Sequence, residues 1–408
     1  MLATAIGLFI RKIPWLMNLT VKSTYQLFLL MGFIGVVFFI IAIKEGTLSL
    51  MKNLDQTPKT EYVQSEGARL AQMVYDRQVL SKGPKFVIIG GGTGLSVLLR
   101  GMKQVTSNIT AVVTVADDGG GSGVLREDLG MLPPGDIRSC LLALAEMEPT
   151  MEALLQYRFT EGALKGQSFG NLFIASMNGI SENFEEAVKK MGEVLAVKGN
   201  VYPVTLENIT LFAQLMNGKV IKGESNIPLK SIEENSPIDF VFVRPRRPSP
   251  LPEVIKAIES ADVIILGPGS LFTSIIPNLL VDQVTEKINK AKGLVVYLPN
   301  LMTQPGETDQ YTIHHHVDAI LSNTGLQKLD LVLANSQVVS DSVVKKYQEE
   351  GAEMVLPDDA DRSYLSKRNI RFLEVDAVEV KSSYVRHDAL KVSRIIHDQL
   401  INEKQLKH

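Results

Sequence analysis

Six short runs constrain the fold most: KFVIIG (85–90), TAVVTVA (110–116), ADVIILG (261–267), GLVVYLP (293–299), LDLVLAN (329–335) and AEMVLP (352–357). They are filled with Val, Ile and Leu and do not alternate with polar residues. A strand that reads this way is buried on both faces, the condition of a parallel sheet covered by helices on either side. Helical patterns separate several of the runs. The expected fold is therefore α/β, a doubly wound, mostly parallel sheet of the Rossmann type. The stretch 200–244 breaks the rhythm with short Thr- and Val-rich runs and an Asn217-Gly218-Lys219 turn, which predicts a small antiparallel β insert. The proline-studded RPRRPSPLPE (244–253) then returns the chain to the main sheet.

The N-terminus has a different character. Residues 25–43, YQLFLLMGFIGVVFFIIAI, carry no charge and are flanked by Lys22 and Lys44. About 20 apolar residues cross the hydrocarbon core, so this run predicts a transmembrane segment with interfacial lysines at its ends. It starts too late and lacks the cleavage site of a signal peptide. The expected organisation is a membrane segment over 1–44, a helical linker over 45–83 that includes the amphipathic 61–80, a main domain over 84–400 and a tail over 401–408. A net charge of −3 without a long basic run disfavours nucleic acid as a partner. Cys140 is the only cysteine, which excludes an intrachain disulfide and a multi-cysteine zinc site.

Candidate chemistry gathers where the strands end. The run 85–89 stops at Gly90-Gly91-Gly92-Thr93-Gly94 and continues with helical spacing. Glycines at a strand-to-helix turn let backbone amides approach an anion at the positive end of the helix. The spacing is not G-x-G-x-x-G, and no lysine stands where a Walker loop has one, so neither a dinucleotide oxidoreductase nor a P-loop enzyme is indicated. Asp117 and Asp118, in VTVADDGGGSG (113–123), leave the next strand together. They would contact a ribose or base, hold Mg²⁺ beside a diphosphate, or cap a helix in solvent. In LPPGDIRSCLLALAE (132–146), Asp136 is placed as an N-cap and Arg138 in the first turn, where a cation opposes the helix dipole unless it faces an anion. Ser168 and Asn171 open an apolar helix as caps or ligand contacts. Gly267, Gly269 and Ser270 form a second glycine-rich turn before a helix. Two such turns at different strand ends suggest a diphosphate held across the crevice of the sheet, as in a nucleotide or nucleotide sugar. Asn300, Thr303, Gln304 and Glu307 are candidates for sugar or base contacts, and Arg386 for a clamp on the diphosphate. His314, His315 and His316 cannot all point one way on a helix, so no metal site is expected there.

The motifs IGGGTGLSVLLRG, VTVADDGGGSG, LPPGDIRSCLLALA, FGNLFIA, GPGSLFTSIIPNLL, NLMTQPGETD and YVRHD resemble, in this order, those of the YvcK branch of the CofD-like family, bacterial proteins called gluconeogenesis factors. The resemblance covers roughly 84–400, and the segment before it looks like the longer, membrane-anchored form. It implies a CofD-like fold that binds UDP-sugars such as UDP-N-acetylglucosamine in support of cell shape and wall synthesis during gluconeogenic growth. It implies no obligatory cofactor, with Mg²⁺ left open, and self-association into a homo-oligomer. By motif match, Gly91, Gly92, Thr93, Gly94, Asp117, Asp118, Asn171, Gly269, Ser270, Asn300 and Arg386 would line the ligand. Gly121 stands where the family more often has serine. Since UDP-sugars are cytoplasmic, the main domain would face the cytoplasm from the cell membrane. The alternative is a transferase using a nucleotide-diphosphate donor, similar to the 2-phospho-L-lactate transferases, with Asp117 or Asp118 in catalysis.

Overall fold

The computed structural model describes residues 31, 34–39, 42, 44–45, 79–146, 149–381 and 384–406. By internal contacts the chain divides into Met1–Leu70 and Ala71–His408. In the first unit the described residues are helical and exposed. The expected span 25–43 falls largely outside the described residues, as does most of the linker. Among the described residues no helix is long and apolar enough to cross a membrane.

Among the described residues the second unit has twelve strands: β1 (Phe86–Gly90), β2 (Ile109–Val113), β3 (Asn200–Pro203), β4 (Thr210–Leu215), β5 (Val220–Lys222), β6 (Ile238–Arg244), β7 (Val263–Leu266), β8 (Leu294–Tyr297), β9 (Leu331–Asn335), β10 (Arg371–Val375), β11 (Val378–Lys381) and β12 (Tyr384–His387). Seven form one sheet in the order β10-β9-β8-β7-β1-β2-β3, and all of its neighbouring pairs are parallel. Every residue of β1, β7, β8 and β9 is buried. This accounts for their unbroken apolar sequence, since both faces meet helices. From β1 the chain winds to one side through β2 and β3, and from β7 to the other through β8, β9 and β10. The winding reverses between β1 and β7, and at such a point the loops leaving the strand ends splay apart and open a crevice.

Two expectations are corrected. The run 352–357 is no strand of the sheet. Met354 makes only an isolated bridge to Met302, and the edge is taken by β10. That strand is exposed or half-buried throughout and carries Arg371 and Glu374, so it does not read as a buried run. The predicted insert also begins too early, because Asn200–Pro203 is the edge strand β3, paired with β2. The insert proper is the three-stranded antiparallel sheet β5-β4-β6. In β4, buried Leu211, Ala213 and Leu215 alternate with half-buried Thr210, Phe212 and Gln214, the period of two of a one-sided sheet. A separate hairpin of β11 and β12 precedes the last helix, Ala389–Leu406.

Candidate functional site

The helix Gly92–Met102 starts directly after β1 with Gly91 as its N-cap, and no side chain caps it. Beyond the Gly92 amide, its first-turn amides are therefore left to meet an anion. The second glycine turn follows β7, on the other side of the reversal. The turns touch: a Cβ on Gly94 would lie 3.2 Å from the Pro268 carbonyl, and one on Gly269 would lie 3.1 Å from the Gly91 oxygen. Asn278 ties them together. It is fully buried, and its Nδ2 donates to the oxygens of Gly90 (3.0 Å) and Ser274 (2.7 Å). Its distance from the glycines in sequence hid this role.

The turns form the floor of a cavity of about 560 Å³ that also reaches Asn300, Gln304, Tyr347, Tyr384, Arg386 and His387. Asn300 Oδ1 accepts from the Gly269 amide at 3.3 Å, and its Nδ2 donates to Gln304 Oε1 at 3.1 Å. Gln304 Nε2 in turn donates to Ser270 Oγ at 2.8 Å. This chain fixes the orientation of each amide along one wall. His387 is buried and hydrogen-bonded to the Pro299 backbone, and burial pushes its pKa down to about 4, so it stays neutral. The Tyr347 hydroxyl accepts from the Val385 amide at 2.9 Å and holds β12 against the helix Asp341–Glu349.

Of the sequence candidates, Gly91, Gly92, Thr93, Gly94, Gly269, Ser270, Asn300, Thr303, Gln304 and Arg386 line this cavity. Asp117, Asp118, Arg138, Asn171 and Gly267 do not. Gly267, at φ +87°, shapes the second turn, where a Cβ would meet the Leu298 oxygen at 2.8 Å. Asp118 fastens the insert by accepting from Glu224 N (3.1 Å), Ser225 N (2.9 Å) and Ser225 Oγ (2.8 Å). Asp117 accepts from Gly119 N at 2.9 Å. Arg126 braces this loop through the Asp117 oxygen (3.2 Å), Asn208 and the Ile209 oxygen, a role no motif signalled. The Arg138 guanidinium donates to Ser168 Oγ, the N-cap of the helix Phe169–Gly179. Asn171 lies in that helix's first turn, and its buried Oδ1 has no partner. Asp136 is not an N-cap, because Pro134 takes that position. Its carboxyl instead reaches the first glycine turn and accepts from the Gly92 amide. In the histidine run, His316 turns inward. His314 Nδ1 meets the buried carboxylate of Asp361 at 2.8 Å, and Asp361 also accepts from Asp358 N within a capping box.

Three carboxyls around the site are held above their ordinary pKa, mainly by burial. Burial and the nearby Asp117 push Asp136 up to about 6. Burial, then Asp117, Glu307, Asp118 and Asp136, push Glu224 up to about 8. Burial takes Glu307 to about 7 against the hydrogen bond from Thr273. Held protonated in the fold but ionised in the unfolded chain, these groups lower stability as pH rises from their ordinary values to their folded ones. His316 and His387, both pushed down to about 4, act in the opposite sense between pH 4 and 6.5. The thermal midpoint is therefore expected to decline between pH 6.5 and 8, where the histidines no longer compensate for Glu307 and Glu224, and Glu224→Gln is expected to flatten the decline. A pH series of thermal unfolding curves checks this, and a midpoint that rises towards pH 8 would contradict it.

Fold and site together define an α/β protein with a glycine-lined crevice at the reversal point of a parallel sheet. The profile of the family described as 2-phospho-L-lactate transferase CofD matches residues 86–378. The chain is 49% identical over 387 residues to a putative gluconeogenesis factor of Clostridium acetobutylicum, covering 95% of this chain and 84% of that one. It is 45% identical over 322 residues to the gluconeogenesis factor of Bacillus subtilis, covering 79% and 99%. A crystal structure of a UPF0052 family member from Bacillus halodurans, 43% identical, superimposes with a TM-score of 0.73 over 77% of this chain and 99% of that one. The chain belongs to the CofD family, and the relatives it matches are gluconeogenesis factors.

Proposed function

We propose that this protein binds a UDP-sugar of the UDP-N-acetylglucosamine type and acts as a regulator of cell shape and wall synthesis during gluconeogenic growth. Its main domain faces the cytoplasm, anchored at the membrane through residues 25–43. The observation that carries the binding reading is the joining of two glycine turns, Asn300 and Arg386 around one cavity. Backbone amides and a guanidinium are the donors that a diphosphate requires, and 560 Å³ is ample for a nucleotide sugar. The regulatory part of the reading rests on the resemblance to gluconeogenesis factors.

One observation favours a second reading, a transferase that takes a nucleotide-diphosphate donor with Mg²⁺. Asp136 reaches the first glycine turn and is electrostatically coupled to Asp117 and Glu224, and a divalent cation would hold such carboxyls ionised next to phosphate. Calorimetric titration of the full chain with UDP-N-acetylglucosamine, with and without Mg²⁺ and with GDP and NAD⁺ as controls, separates the two. Metal-independent binding without turnover is the expected result. Turnover that depends on Mg²⁺ would replace the regulator by the transferase, and absence of binding would end the UDP-sugar reading.

A further inference from the structure

β12 carries the guanidinium of the cavity and, two residues earlier, an aromatic ring. Along a strand, residues i and i+2 stand on the same face about 6.7 Å apart. Tyr384 and Arg386 are so related, and both line the cavity. That separation is close to the span of a ribose between a base and its first phosphate. Tyr347 is the other aromatic phenol of the lining, but its hydroxyl is committed to the Val385 amide. Tyr384 is 48% exposed, so its ring is open to a bound group. The Lys346 ammonium sits over one of its faces, 4.0 Å from the ring centroid. The opposite face is left for a planar group.

We propose that Tyr384 is the stacking platform for the nucleobase, held in place by Lys346, and that it selects nucleoside diphosphates over diphosphates that lack a base. This rests on the nucleotide-sugar reading above and adds a specificity-determining residue to it. Arg386 and the glycine turns hold the diphosphate, the ribose spans the step between the two side chains, and the base lies on the ring. Lys346 has a further effect. A cation over one face fixes the ring's tilt, so less freedom is lost when the base arrives on the other.

The test compares wild type, Tyr384→Ala, Tyr384→Phe and Tyr384→Trp in the full chain, with UDP-N-acetylglucosamine and inorganic pyrophosphate as probes. Stacking predicts a 10- to 100-fold rise in the UDP-N-acetylglucosamine Kd for Tyr384→Ala, about the size of one base–aromatic contact. Tyr384→Phe should stay within about threefold of wild type, because the π-face is kept. The fluorescence of Tyr384→Trp should be quenched by UDP-N-acetylglucosamine and not by pyrophosphate. Pyrophosphate affinity should be the same in wild type and Tyr384→Ala. An alanine variant that binds UDP-N-acetylglucosamine as tightly as wild type overturns the platform and leaves the diphosphate site standing. Equal losses for both probes also overturn it, since the ring would then only brace the hairpin. A wild-type chain that binds neither probe removes the underlying reading, and this proposal with it.

Discussion

Replacing Gly101 by alanine is expected to destabilise the protein by about 3 kcal/mol and to lower its thermal midpoint by several degrees. Gly101 lies near the end of the helix that starts at the first glycine turn, where that helix rests on the C-terminal helix Ala389–Leu406. A Cβ there would stand 2.3 Å from the backbone carbon and oxygen of Ala389 and 2.7 Å from the Leu390 nitrogen. These are backbone atoms and cannot rotate aside, so the helices must separate. In an open helix position the same substitution would stabilise by up to about 1 kcal/mol through helix propensity. Gly179 supplies that control, since a Cβ there meets nothing within 4 Å. Thermal unfolding of both variants is the measurement. Equal midpoints would mean that the two helices do not pack as closely as described. The contact also bears on function, because the C-terminal helix follows directly from β12, which bears Arg386. Separating the helices moves Arg386 relative to the first glycine turn, so Gly101→Ala is also expected to weaken ligand binding.

What the sequence conveyed depends on how each residue does its work. β1, β7, β8 and β9 were legible because burial on both faces fills them mainly with Val, Ile and Leu. β10 was not, because an edge strand with Glu374 paired to Arg362 reads as polar surface. The glycine turns were legible because the strand–glycine–helix order is local. Asn278 and Arg126 were not, since their partners are far away in the chain: Gly90 for the first, Asn208 and Ile209 for the second. Asp118 shows the same limit from the other side. Its place at a strand end suggested the ligand, yet its carboxylate is filled by the amides of Glu224 and Ser225 from the insert. Only the tertiary fold brings those groups together. Asp136 was read as a cap because proline and glycine precede it. The turn rotates it instead towards Gly92, where its charge opposes a bound phosphate unless a proton or a cation is shared.

That last placement makes Gly91 the most sensitive position of the site. Its backbone is extended, at φ −172° and ψ 177°, a conformation open to any residue, so glycine is not needed there for conformational freedom. It is needed for space. A Cβ on Gly91 would stand 2.6 Å from Asp136 Oδ2 and 2.8 Å from Thr114 Cγ2, with Ser274 Cβ at 3.3 Å on a third side. Gly91→Ala must therefore push the turn outward or displace the Asp136 carboxyl, and either change moves the free amides that face the cavity. A displacement of this kind in a preorganised site costs on the order of 100-fold. The expected result is a loss of that size in UDP-N-acetylglucosamine affinity, with a smaller stability loss of about 1–2 kcal/mol. Adding Asp136→Ala removes the closest clash, and the pair is expected to recover part of the affinity lost in Gly91→Ala, a coupling that a double-mutant cycle reads directly. Gly92→Ala is the contrasting case. Nothing lies within 4 Å of its Cβ, but its φ of +66° strains alanine. Its loss should persist whether or not Asp136 is present. If Gly91→Ala binds as tightly as wild type, the first glycine turn does not hold the phosphates, and the ligand must lie further out, towards Asn300 and Arg386.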